Sequence, residues 1–214
     1  VCATVVSASA VLLQDRHRAN AELDVRRNVL EAAGMRSPGE RLAAEEVRRR
    51  FERIEIIAVD LASGRERPLS RDDRDAPTVY KVQDEDGRLR TLVLPVEGRG
   101  LWSTLRGFVA LDADLTTIRG LTFYSHRETP GLGAEVDNPT WKARWKGRRA
   151  FDADGGVRIE VVKGRAGPPE QDPFHVDGLS GATVTSRGVT ELLRAWLGEQ
   201  GFGPYLARLR GGEA

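Results

Sequence analysis

Two consecutive strand–turn–strand patterns constrain this chain more than any other feature. Residues 78–83 and 89–96 are apolar, strand-forming runs on either side of Asp84-Glu85-Asp86-Gly87, a polar turn. Residues 102–112 and 117–125 repeat the arrangement around a turn at residues 113–116. Two hairpins in succession specify an antiparallel sheet, with further short strands at 56–61 and 157–163. Helical spacing frames them. Residues 15–33 place Leu23 and Leu30 on one face and end at Gly34; residues 39–54 roughly align Leu42, Val47, Phe51 and Ile54. Asn138 caps a helix over 138–146, with Pro139 at its first position and Trp141 and Trp145 on one face. The expected class is α+β: a mainly antiparallel sheet with flanking helices, preceded by N-terminal helices. Residues 63–77 read as a charged loop and 164–176 as a Gly/Pro-rich loop.

Composition excludes several functions. Charged residues make up 30% of the chain, yet the formal net charge is only +1. A nucleic-acid partner would call for a clustered basic excess. One cysteine, Cys2, cannot hold an iron–sulfur cluster alone, which normally needs about four ligands. His17, His126 and His175 are scattered without metal-ligand spacing. Asp152-x-Asp154-Gly155 reads as a turn rather than a calcium loop.

The chemistry-bearing residues fall in two clusters. The first is Asp177-x-x-Ser180-Gly181-Ala182-Thr183, just before apolar residues at Val189, Leu192, Leu193, Trp196 and Leu197. That stripe has a 3.6-residue period, so Thr183 is a hydroxyl at or near a helix N-terminus, beside unpaired N–H groups. Such a place favours an anion, phosphate above all. Taken locally, Ser and Thr there are N-caps and Gly181 makes the entry turn. The second cluster is Glu128-Thr129-Pro130-Gly131-Leu132-Gly133. Pro130 and Gly131 make a turn over 129–132 in which Gly131 takes positive φ, and Gly133 lets backbone approach a ligand closely. Locally this is a strand–turn–helix connection; functionally it is a loop that packs against a flat ring.

Together these stretches resemble a known family. Asp-x-x-Ser/Thr-Gly-Ala-Thr is similar to the flavinylation motif of proteins that carry FMN in a phosphoester to the last Thr, here Thr183. Glu128 to Gly133 resembles their second signature. Gly98-Arg99-Gly100-Leu101-Trp102-Ser103, the stretch from Glu135 to Trp145, and the segment from Trp196 through Tyr205 also match. The chain therefore resembles the NqrC family, FMN-bearing components of sodium-translocating NADH:quinone oxidoreductases, over most of residues 14–210. The RnfG component of the Rnf complexes shares both flavin motifs but matches the other stretches less well.

The resemblance implies an electron carrier. It relays electrons from an upstream metal centre of a membrane respiratory complex to the flavin of a large membrane subunit, toward ubiquinone. A separate flavin transferase loads FMN onto Thr183. Ser180, Gly181 and Ala182 shape the turn presenting it, and Asp177 is the acidic residue of the motif or a turn cap. Glu128, Thr129, Gly131, Leu132 and Gly133 form the flavin environment. Trp102 stacks near the flavin or lies in the core, Lys163 approaches the phosphate or stays on the surface, and His126 is a further candidate as proton donor to the flavin. Thr185 and Ser186 are caps. No metal is expected. Residues 1–14, uncharged up to Leu13 but shorter than the about 20 residues of a spanning helix, are the remnant of a single N-terminal anchor in the bacterial inner membrane. Residues 15–54 are a helical lead-in, and 55–210 the FMN-binding domain on the periplasmic side. The competing readings are an Rnf-type flavoprotein and a scaffold with a bare Thr183. An NADH-dependent reductase is disfavoured because no Gly-x-Gly-x-x-Gly segment follows a strand.

Overall fold

Both hairpins form, and their four strands lie side by side in a six-stranded sheet. The computed structural model describes residues 19–70 and 76–212. A helix over residues 19–32 (α1) and α2 (Ala44–Phe51) precede β1 (Ile54–Asp60) and β2 (Arg65–Pro68). The hairpin strands are β3 (Thr78–Gln83), β4 (Leu89–Arg99), β5 (Thr104–Asp112) and β6 (Ile118–Ser125). The order is β2-β1-β3-β4-β5-β6, antiparallel throughout. A 3-10 turn (Gly133–Asp137) and α3 (Pro139–Ala143) follow, then β7 (Glu160–Val161) and β8 (His175–Val176), a short parallel pair. The chain closes with α4 (Thr183–Leu197) and α5 (Gly203–Arg210).

The sheet is covered on both faces, so its central strands are apolar on both sides. Leu92, Leu94 and Val96 of β4 and Leu105, Val109 and Leu111 of β5 join α4, α5 and the Trp141–Trp145 pair in the larger core. Val93, Phe108 and Ala110 alternate to the other face, against Val29, Leu30 and Ala32 of α1 and Val47 and Phe51 of α2. This is the period-2 pleat read as two cores. Asn138 caps α3 as expected, accepting the Thr140 N–H at 2.9 Å, with Pro139 first in the helix. The Asp152–Gly155 segment is a turn: the Asp152 carboxylate accepts the N–H groups of Asp154 and Gly156.

Five expectations need correction. The helix over 138–146 is only Pro139–Ala143, with Arg144 as its C-cap. The helix over 39–54 shrinks to Ala44–Phe51, because Gly39 takes φ +78° and the Glu40 carboxylate accepts the Ser37 N–H in a preceding turn. Ile54 instead pairs with Val82 as the first residue of β1. The charged loop over 63–77 contains β2, an edge strand joined to β1 through Gly64 at φ +65°. The strand over 157–163 is only Glu160–Val161, since its partner β8 is equally short. Trp102 is not in a strand core: β5 starts at Thr104, and Trp102 lies in the β4–β5 turn, 71% exposed. The anchor remnant at 1–14 lies outside the described residues. Among the described residues no helix is long and apolar enough to cross a membrane.

Candidate functional site

The site is built on α4. Its buried residues Val189, Leu192, Leu193 and Leu197 seat it across β4, and two glycines let it approach closely. A Cβ on Gly98 would lie 2.4 Å from Leu192 Cβ, and one on Gly188 would lie 2.2 Å from the Arg99 carbonyl oxygen. The packing carries the N-terminus of α4 beside the turn at 100–103, where β4 ends.

Thr183 is the first residue of α4 and is exposed. Its side chain makes no hydrogen bond among the described residues. The N-cap is Ala182, and no side chain caps the helix. The local reading of Ser and Thr as caps is therefore corrected, and the first N–H groups of α4 remain open donors. Gly181 at φ +71° makes the sharp entry, with Ser180 exposed and Ala182 buried around it. Thr185 and Ser186 are not caps either: the Thr185 hydroxyl donates to Glu128 at 2.6 Å, and Ser186 Oγ accepts the Leu179 N–H at 3.1 Å.

Glu128 joins the two glycine loops to the helix. It is 5% exposed, yet it forms no ion pair among the described residues. Oε1 accepts the Trp102 N–H at 3.0 Å, and Oε2 accepts the Leu101 N–H at 3.2 Å together with the Thr185 hydroxyl. Gly100 and Gly133 make room: a Cβ on either would fall 2.5 or 2.7 Å from a carboxylate oxygen. Burial pushes the carboxyl toward neutrality, but the Thr185 hydroxyl and the N–H groups of Trp102, Leu101 and Ser103 together hold it below the usual carboxylate range. The magnitudes agree. A charged hydrogen bond contributes about 1.5–3 kcal/mol, so several of them offset the desolvation of one buried ion, which costs several kcal/mol.

Leu132, in the turn that Gly131 makes at φ +74°, reaches Gly181: a Cβ there would be 2.8 Å from Leu132 Cδ2. The Thr129 carbonyl closes that turn by accepting the N–H of Leu132 and of Ala134, each at 3.1 Å. Leu101, Leu132 and Val184 are 44%, 42% and 52% exposed. With Trp102 they give the N-terminus of α4 an exposed apolar border. His126 is occupied, with Nε2 2.7 Å from Asp137 Oδ2 and Nδ1 accepting the Glu128 N–H at 3.3 Å.

On the other flank of α4 lies a cleft of about 990 Å³, whose walls include Thr183, Ser180, Gly181, Lys163, Arg187 and Asp177. Lys163 is exposed and unpaired among the described residues, on the same cleft as Thr183. Asp177 is buried in the wall of this cleft. It pairs with the Arg144 guanidinium and accepts the Ala166 N–H at 3.0 Å, while its carbonyl accepts Trp141 Nε1 at 2.8 Å. Arg144 was missed by sequence reasoning; nothing in its surroundings marked it.

The structure thus gathers the two sequence clusters and the Gly100–Ser103 turn around the start of α4. Residues 100–198, from that turn to the end of α4, match the FMN-binding domain family. The relatives narrow this further. The NqrC component of the Na(+)-translocating NADH-quinone reductase of Yersinia pestis is 42% identical over 241 aligned positions, covering 99% of this chain and 89% of that protein. The same component from Pseudomonas aeruginosa is 43% identical, covering 100% and 93%. The crystal structure of Shewanella oneidensis NqrC superposes with a TM-score of 0.80 at 32% identity, over 90% of this chain and 99% of that one. The chain belongs to the NqrC family of Na(+)-translocating NADH-quinone reductases.

Proposed function

We propose that this chain carries FMN in a phosphoester bond to Thr183 and relays electrons within a membrane-bound Na+-translocating NADH-quinone reductase. The observation that carries the reading is the state of Thr183. Its hydroxyl is exposed and unbonded on the first residue of an uncapped helix, between an apolar border and a polar cleft.

The residues fit such a group. Open N–H donors and the positive end of the helix dipole favour a phosphodiester, which keeps one negative charge. Lys163, on the same cleft, approaches that charge. Leu101, Trp102, Leu132 and Val184 offer apolar surface to a flat aromatic ring, and Thr129, Gly131 and Gly133 shape the loop that holds Leu132 in place. Ser180, Gly181 and Ala182 set the entry turn, and Asp177 fixes the segment leading into it. FMN, when attached, supplies the redox chemistry; the chain binds it, orients it and sets the charge around it.

Attachment is assigned to a separate enzyme, since among the described residues no side chain hydrogen-bonds the Thr183 hydroxyl to activate it. A flavin transferase uses FAD: the Thr183 oxygen bonds to the riboflavin-side phosphorus, the pyrophosphate P–O bond breaks, AMP leaves, and the hydroxyl proton is released. The electron donor is a metal-centre membrane subunit and the acceptor a large flavin-bearing membrane subunit. Residues 55–210 are the flavin domain, held at the periplasmic face of the bacterial inner membrane as part of that complex.

The test is flavin retention. After co-expression with a transferase and full denaturation, the chain should keep flavin fluorescence through electrophoresis, and Thr183→Ala should lose it. A colourless parent beside a transferase active on another target would contradict the reading.

A further inference from the structure

Glu128 is a buried carboxylate that forms no ion pair among the described residues, so hydrogen bonds alone hold its charge. Its polar contacts come from both sides of the site. The Leu101 and Trp102 N–H groups belong to the β4–β5 turn, and the Thr185 hydroxyl belongs to the first turn of α4, 57 residues away in sequence. The turn is built around the charge: consecutive N–H groups converge on the two oxygens as in a backbone anion nest, and Gly100 and Gly133 leave no space for a side chain that would displace them. Trp102 and Leu132 on two loops and Val184 on α4, all near this carboxylate, are exposed at the surface.

We infer that Glu128 is a positioning residue that locks the Leu101–Ser103 turn to α4 and places an uncompensated negative charge beneath the flavin-bearing face, lowering the flavin's midpoint potential. The inference rests on FMN being held at Thr183. The first half follows from the bonds, because no other side chain accepts the Leu101 and Trp102 N–H groups among the described residues. The second half follows from electrostatics. Adding an electron near a fixed negative charge is disfavoured, and more strongly where protein rather than water fills the space. Asp177, the other buried carboxylate of the site, is matched by Arg144 and contributes far less net field.

Two variants separate the halves. Glu128→Gln removes the charge and keeps one carbonyl acceptor. Thr185→Val removes one hydrogen bond and keeps the charge. In the unloaded chain, amide hydrogen exchange at Leu101 and Trp102 should be slow in the parent despite their exposed side chains. It should quicken at one or both in Glu128→Gln. In the flavin-loaded chain, redox titration should show a more positive midpoint potential for Glu128→Gln and a smaller shift for Thr185→Val. Unprotected amides in the parent would overturn the locking role. An unchanged potential in a folded, loaded Glu128→Gln would overturn the electrostatic role. If the parent takes no flavin, the FMN reading fails while the exchange result still decides the lock.

Discussion

The two flanks of α4's N-terminus each bury a carboxylate, and they satisfy it in opposite ways. On the flank of the apolar border, Glu128 is held by backbone N–H groups and one hydroxyl. On the cleft flank, Asp177 is held by a guanidinium and one N–H. The first arrangement leaves a net charge in place; the second cancels it. In this contrast Asp177 ties the loop at 166 and α3 to the motif, whereas the role proposed for Glu128 adds a standing charge on the flavin-bearing face to its structural bonds.

The largest effect should come from breaking what both flanks share. Gly188→Ala sets a methyl 2.2 Å from the Arg99 carbonyl oxygen and must lift α4 from β4. Overpacking of this kind costs about 1–3 kcal/mol, readable as a lower urea midpoint, and flavin loading should fall with it. Next, Arg144→Met leaves Asp177 buried with only the Ala166 N–H. A buried acceptor stripped of a partner costs about 1–3 kcal/mol, so urea unfolding should show that loss, and the unmatched Asp177 charge should move the flavin potential downward, opposite in sign to Glu128→Gln. An unmoved potential would show that Arg144 does not cancel the Asp177 charge at the flavin and would erase the contrast between the flanks.

A smaller effect concerns pH. Glu128 is held below its ordinary range in the folded chain. Its contribution is therefore complete above the unfolded value of about 4.3 and is lost as pH falls through the lower folded value. Urea unfolding from neutral to acid pH should show the parent's advantage over Glu128→Gln shrinking over that window. An advantage independent of pH would mean the carboxyl is not held ionised by folding. Smallest in stability is Trp102→Ala, expected within about 0.5 kcal/mol because the ring is exposed. The same variant should change the absorbance of the attached flavin; an unaltered spectrum would remove Trp102 from the cofactor's surroundings.

The sheet was legible because alternation and turn residues are local signals. β3 to β6 lie within a residue or two of their expected bounds, except that β4 runs on to Arg99 and β5 starts at Thr104. β2 was not legible: Arg-Glu-Arg-Pro has no apolar rhythm, and as an edge strand paired only with β1 it needs none. The start of α4 and the positive φ of Gly131 were readable for the same local reasons. The roles of Thr185, Ser186 and Glu128 were not. A hydroxyl near a helix start looks like a cap until its partner is known, and Glu128 finds its partners 26, 27 and 57 residues away. Arg144 was hidden likewise, since its pairing with Asp177 exists only once the loop has folded back onto α3.

Tandem mass spectrometry of the peptide spanning residues 177–187, taken from protein co-expressed with a flavin transferase, tests the central claim most directly. Ser180, Thr183, Thr185 and Ser186 all offer hydroxyls there. The account predicts one FMN, less one water, on Thr183 alone, because only this hydroxyl is exposed, unbonded and seated at the first residue of the helix. FMN on Ser180 or another of these hydroxyls, or none on any, would contradict it.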